Sequence, residues 1–174
     1  QYIVGEYVNS KEYDMDVYGV RFFLNEEAAR DHNRVIKDGE YREWYDNGQV
    51  HMEGMKKNNK RDGEWKWYYK NGKLCALVNW INGKQSGLCK GWYEDGFLIR
   101  IQFWEEGYIA KEIFYKDKHS MTFSIYDMIG SKNDVQKFWH ETELTPEDQT
   151  EHEKQLLDTG TLVLSSDYKS MTSQ

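Results

Sequence analysis

Between residues 39 and 110 polar and apolar positions alternate with a period of two, in runs of about seven residues separated by turn dipeptides. In one run Trp65, Trp67 and Tyr69 fall on one side while Glu64 and Lys66 fall on the other, and the next run places Leu74, Ala76, Val78 and Trp80 on a single side. The turn dipeptides form two series, Asn47-Gly48, Asn71-Gly72 and Asp95-Gly96, then Asn58-Asn59, Asn82-Gly83 and Glu106-Gly107. Two-residue hairpin turns of type I′ need positive φ at both central residues, which Asn-Gly and Asp-Gly adopt cheaply. The pattern therefore predicts hairpins joined into one continuous antiparallel meander.

The alternation also repeats. Gly39, Gly63 and Gly87 are 24 residues apart and open three segments that align without a gap. An aromatic pair recurs as Trp44-Tyr45, Tyr68-Tyr69 and Trp92-Tyr93, and an aliphatic follows each first turn as Val50, Leu74 and Leu98. Tyr41, Trp65 and Cys89 share a column that stacks along the sheet, so Cys89 reads as a small buried hydrophobe rather than a nucleophile or ligand. Tyr41, Trp65, Tyr69, Tyr93 and Trp104 read as sheet core. Trp44, Tyr68 and Trp92 form the opposite column and are the candidate partner-binding residues, because Trp and Tyr supply large contact area with few rotamers to freeze.

The stretch from Asp62 to Leu74, Asp-Gly-Glu-Trp-Lys-Trp-Tyr-Tyr-Lys-Asn-Gly-Lys-Leu, continued by Trp80-Ile-Asn-Gly-Lys-Gln-Ser-Gly87, resembles the MORN-type repeats and more closely the variant repeat of YwqK-type antitoxin proteins. The resemblance covers about residues 38–110. It implies an extended twisted β-meander that serves in protein contacts, in membrane-associated scaffolds or as a presumed antitoxin, with no shared catalytic residues. Similar repeats in large DNA viruses add a subunit of a large assembly, such as a virus particle, to the expected roles. Gly54 and Gln102 depart from the apolar residue at Val78, and Lys56 departs from the aromatic at Trp80 and Trp104, which places the first return strand nearer an edge.

The expected fold class is mainly β, an antiparallel meander of tandem 24-residue MORN-like hairpin repeats with short C-terminal helices. Residues 1–38 read as an N-terminal capping segment, with strands at 2–8 and 17–24 and a short helix starting at Asn25. Residues 39–118 are the repeat region and 119–164 hold a C-terminal strand and helices. Within the latter, Ser131 and Asp134 resemble a capping box and Val135, Phe138 and Trp139 recur at helical spacing, predicting a helix over 132–140. Thr145-Pro146-Glu147-Asp148 begins a second helix that Gly160 ends. Residues 165–174 read as a mobile polar tail.

Composition narrows the functions. The chain has 174 residues with 16% aromatics, one proline and two cysteines, too aromatic for disorder and too poor in cysteine for a disulfide scaffold or a four-ligand zinc site. No apolar run approaches the roughly 20 residues of a membrane span. The start lacks a signal-peptide pattern, and the absence of an initiator Met leaves room for residues upstream. A soluble, unsecreted protein is expected, cytoplasmic or within a viral particle.

Net charge is −7, with acidic flanks and a repeat region carrying eleven Lys/Arg against ten Asp/Glu. Without a basic stripe nucleic acid is a poor partner, and the charge disfavours anionic membranes. Lys56-Lys57 with Lys60-Arg61 reads as a solvated turn. The histidines show no metal spacing, His140 reads as a helix-end residue, and no nucleophile or phosphate-loop motif occurs. The expectation is a non-enzymatic protein-binding or architectural module without cofactor or metal, its partner a toxin or an assembly subunit.

Overall fold

The computed structural model describes residues 26–31 and 35–171. The strands expected at 2–8 and 17–24 lie outside them. The described chain is one antiparallel sheet flanked by helices α1 (Glu26–Asp31) and α2 (Pro146–Asp158). Its strands are β1 (Gly39–Trp44), β2 (Val50–Lys57), β3 (Lys60–Tyr68), β4 (Leu74–Ile81), β5 (Lys84–Gln85), β6 (Gly87–Trp92), β7 (Leu98–Glu105), β8 (Tyr108–Asp117), β9 (Ser120–Tyr126), β10 (Lys132–His140) and β11 (Tyr168–Ser170). They lie in sequence order across the sheet, with β5 pairing on the end of β4 beside β6.

The two series of turns differ in kind. At Asn58-Asn59, Asn82-Gly83 and Glu106-Gly107 both residues have positive φ, as a two-residue type I′ turn requires. In the other series only Gly48, Gly72 and Gly96 are left-handed, at φ 78°, 83° and 98°. These are three-residue loops instead: the Gly48 N–H donates to the Tyr45 carbonyl at 3.0 Å and the Tyr45 N–H to the Gln49 carbonyl at 2.8 Å, with equivalents at Tyr69 and Tyr93. Asn47, Asn71 and Asp95 earn their place by accepting the backbone N–H two residues on, at 2.9–3.1 Å. Asn-Gly suits both geometries, which is why the dipeptide alone predicts the wrong one here.

Each hairpin is tied to the next at the same points. The Tyr45 hydroxyl donates to the Tyr68 carbonyl at 2.8 Å and the Tyr69 hydroxyl to the Trp92 carbonyl at 2.6 Å. Beside the opening glycines the register between β2 and β3 jumps by two residues, and the junction of β4 with β5 and β6 does the same. Gly63 and Gly87 take φ of 77° and 70° there. Lys111 stands at the next position of the 24-residue series, has no positive φ, and the register between β7 and β8 shifts by only one. The repeat fades where its glycine is lost.

Apolar packing occupies opposite sides of the sheet in its two halves. In the first half Trp65 is fully buried, with Tyr41 and Trp67 at ring-centroid distances of 5.6 and 6.0 Å. Its ring lies where a side chain on Gly54 would be, 2.4 Å from an ideal Cβ, and its indole N–H donates to the Met55 carbonyl at 3.0 Å. Gly54 is thus a space for Trp65, and Lys56 sets its ammonium 3.9 Å over the Tyr41 ring in place of an aromatic. In the second half the buried residues are Leu98, Ile101, Ile113, Tyr115, Met121 and Phe123, on the side covered by Leu144, Leu156 and Leu162 of α2 and its flanking loops. Cys89 is buried, as its column implies, and burial raises its thiol pKa. Tyr93, read as core, is instead 43% exposed and stacks on Phe97.

Two further readings are corrected. Residues 132–140 are strand β10, with Asp134, Gln136 and Phe138 opposite Ile125, Phe123 and Met121 of β9, so one C-terminal helix remains. The segment read as a tail contains β11, which pairs with Phe138, Trp139 and His140. Helix α2 begins as expected: Thr145 accepts from the Asp148 N–H at 3.1 Å, and Asp148 accepts from the Thr145 N–H at 2.8 Å. A single register shift at Trp67/Tyr68 also sets Leu74 opposite Tyr68 rather than on the side of Ala76.

Glu106 holds φ at 51° in a turn whose equivalents are Asn58 and Asn82. Left-handed backbone costs an ordinary side chain on the order of 1 kcal/mol, and Asn less. Glu106→Asn should therefore raise unfolding free energy by about 0.5–1 kcal/mol in urea denaturation, and an unchanged or lowered midpoint would refute the strain.

Candidate functional site

Trp44, Tyr68 and Trp92 end the first strand of each repeat, and a one-residue register shift precedes each of them. They share one side of the sheet but differ in surroundings. The Trp44 indole N–H donates to Asp31 of α1 at 3.4 Å, and Arg42 on the same side lies 3.5 Å from Glu27. Trp92 packs against the apolar cluster beneath α2. Tyr68 lies between, its hydroxyl donating to Glu53 at 2.7 Å while Arg42 Nε donates to the other oxygen of Glu53 at 3.1 Å.

That pairing has electrostatic consequences. The Tyr68 bond, working against partial burial and helped by Arg42, holds the Glu53 carboxyl below its ordinary pKa. Burial and the neighbouring carboxylate push Tyr68 up to about 12. Beside this pair opens a cleft of about 200 Å³ lined by Glu40, Arg42, Glu53, Met55, Glu64 and Lys66. All three column residues are half-buried, so the column is not one continuous exposed stripe.

Sequence reasoning missed the other side of the same strands. Arg61, read as part of a solvated turn, places its guanidinium 4.7, 5.2 and 5.1 Å from the ring centroids of Trp65, Trp67 and Trp80. Strand parity held the signal, since Arg61 pairs with Lys56 on the side of the tryptophans. Across β7 to β9 the same side carries a polar chain in which the Trp104 indole donates to Gln102 at 3.2 Å, Gln102 to Glu112, and the Tyr126 hydroxyl to Glu112 at 2.9 Å.

Beneath α2 lies a buried titratable cluster. His152 is 4% exposed, with Nδ1 2.8 Å from the Tyr115 hydroxyl and Nε2 3.2 Å from that of Tyr168. A neutral imidazole satisfies both, donating on one side and accepting on the other. His140, read as a helix-end residue, closes β10 with its ring 4.3 Å from that of Tyr168. Among the described residues no three His, Cys, Asp or Glu side chains gather as a metal would need.

Turns of two kinds, tyrosine ties between hairpins and a 24-residue pitch together define the repeat. Residues 37–58 and 61–82 match the MORN repeat variant. The two matched segments cover β1 to β4, while the hairpin of β6 and β7, which keeps the three-residue loop, lies outside the match. No curated protein matches the chain. No helix among the described residues is long and apolar enough to cross a membrane.

Burial, opposed by Asp148 and assisted by His140, pushes His152 down to about 4 from its ordinary 6.5. The folded state therefore binds this proton less readily than the unfolded chain. Its contribution is whole above pH 6.5 and is lost as pH falls toward 4, about 3 kcal/mol in all. His152→Phe should flatten the fall in urea midpoint between pH 7 and 4.5; an equally steep fall in the variant would place the titration elsewhere.

Proposed function

We propose that this protein is a non-enzymatic protein-binding module whose partner lies along the repeat sheet. The observation that carries the reading is the one-sidedness of the covering. Helix α1 meets Trp44 and Arg42, α2 meets Ile101 and Tyr115 through its buried residues, and both lie on the same side. A regular aromatic sheet with one side free of helices among the described residues offers the large, rigid, low-entropy area that interfaces use. The match to the MORN repeat variant supports the same function, since such repeats commonly serve protein interaction.

Within this reading Trp44, Tyr68 and Trp92 are proposed contacts of unequal kind. Trp44 and Trp92 seat the helices, and Tyr68, held by Glu53 beside the cleft, is proposed as a secondary contact on the helix-bearing side, at the edge of the partner's reach. The finer roles, neutralising a toxin in the manner of YwqK-type proteins or building a large particle, rest on the repeat likeness alone and differ in the partner they require.

Sedimentation of the full chain at its native concentration should show a complex with a second polypeptide at fixed stoichiometry. Tyr68→Ser, whose fold is checked by its melting curve, should weaken that complex if the cleft contributes. A chain that sediments only as a free monomer in its native extract would sink the binding function.

A further inference from the structure

The side of the sheet opposite the helices has a charge of its own. Cross-strand pairing runs one row over it, from Trp67 in β3 through Ala76 and Gly91 to Arg100 in β7. The same row continues through Phe114 and Thr122 to Lys137 in β10. Arg61 reaches its first member, with the guanidinium 5.2 Å from the Trp67 ring.

Arg61, Arg100 and Lys137 have no carboxylate partner among the described residues. The row lies on a protein of net charge −7, and α2, on the other side, carries five Asp/Glu against one Lys. Apolar surface lies between and beside the cations: Phe114 is 38% exposed, Val135 38% and Trp139 36%. Ala76 and Gly91 leave the middle of the row low, and the Arg100 side chain lies over Gly91, 3.2 Å from where a Cβ would stand.

Spacing completes the pattern. Trp67 on β3, against whose ring the guanidinium of Arg61 lies, and Arg100 on β7 are three strand steps apart, and so are Arg100 and Lys137 on β10. At roughly 4.8 Å per step each interval is about 14 Å, the reach of about four residues of extended chain. Resting on the protein-binding reading above, we propose that this row takes an extended acidic segment of a partner protein, laid across the strands with carboxylates about four residues apart and apolar side chains between them.

A polypeptide suits the row better than a phosphate polymer or a membrane. Each strand of a nucleic-acid duplex carries a charge about every 3.4 Å and an anionic bilayer calls for four to eight clustered cations, whereas Arg61 has one cationic cross-strand partner, Lys56, Arg100 and Lys137 pair with uncharged residues, and apolar residues lie between the three. Charge-assisted pairs at such spacing favour one register of a chain with matching carboxylates.

The test uses the full chain and a fluorescein-labelled nine-residue peptide with Glu at positions 1, 5 and 9 and Ser, Thr and Leu between them, followed by anisotropy. The peptide should bind, and Arg100→Glu with Lys137→Glu should weaken it at least tenfold at low salt with an unchanged melting curve. Lys154→Glu, on the exposed face of α2, should leave it within twofold, and a peptide of the same composition with its three Glu contiguous should bind at least fivefold more weakly. Failure of the first peptide to bind, insensitivity to the double reversal, or equal binding of the contiguous peptide overturns the proposal. So does tighter binding of a nine-residue oligothymidylate or of phosphatidylserine vesicles, which would mean that the row reads phosphate. A native partner lost by Tyr68→Ser but retained by the double reversal would leave the binding function standing and the assigned face wrong.

Discussion

A tyrosine hydroxyl that reaches exactly one hairpin onward holds this sheet in register. Tyr45 and Tyr69 each donate to a carbonyl 23 residues later, at the last residue of the next repeat's first strand. The bond forms only if the loop preceding each return strand has the same length and the same left-handed glycine, and if the register jump beside the opening glycine is the same size. Turn chemistry, pitch and inter-repeat bonding are thus one constraint seen at three places. The absence of a tie from Tyr93, which stacks on Phe97 with its ring exposed, coincides with the loss of the glycine at Lys111 and with the end of regular spacing.

Much of this was legible in the residues, because hairpin repeats announce themselves by turn dipeptides and alternation. The errors are equally physical. Val135, Phe138 and Trp139 fit helical spacing, but Phe138 alone of the three faces the covered side of β10, and a strand that exposes most of its residues hides its period. Tyr168 anchors the supposed tail through His152 and His140, a contact no local pattern carries. One-residue register shifts move Leu74 across the sheet, which strict alternation cannot foresee.

The candidate column was visible as a column, though not in its surroundings. Which side of an aromatic sheet is covered depends on helices far away in sequence, and here they take up Trp44 at one end and Trp92 at the other. The cations of the other side were hidden for a related reason. Arg61, Arg100 and Lys137 are scattered over 77 positions of a chain whose overall charge is negative, and only strand pairing sets Arg100 and Lys137 in one row that begins at Trp67, against which the Arg61 guanidinium lies. Segregation of charge between the two sides of a sheet leaves no trace in composition.

The change of packed side occurs where β4 meets β6, a junction where two cross-strand pairs, Ala76 with Gly91 and Leu77 with Lys90, are supplemented by the β5 pairs, by Asn79 donating to the Leu88 carbonyl and by the Tyr69 tie to Trp92. Trp65 and its neighbours lie on one side before it, and the cluster around Ile101 and Ile113 on the other side after it. No single apolar core spans the junction. The sheet is therefore continuous in its hydrogen bonds, while its buried apolar surface falls into two clusters on opposite sides. Mechanically, the two clusters grip the sheet from opposite sides, so the junction is where the inside of the bend becomes its outside.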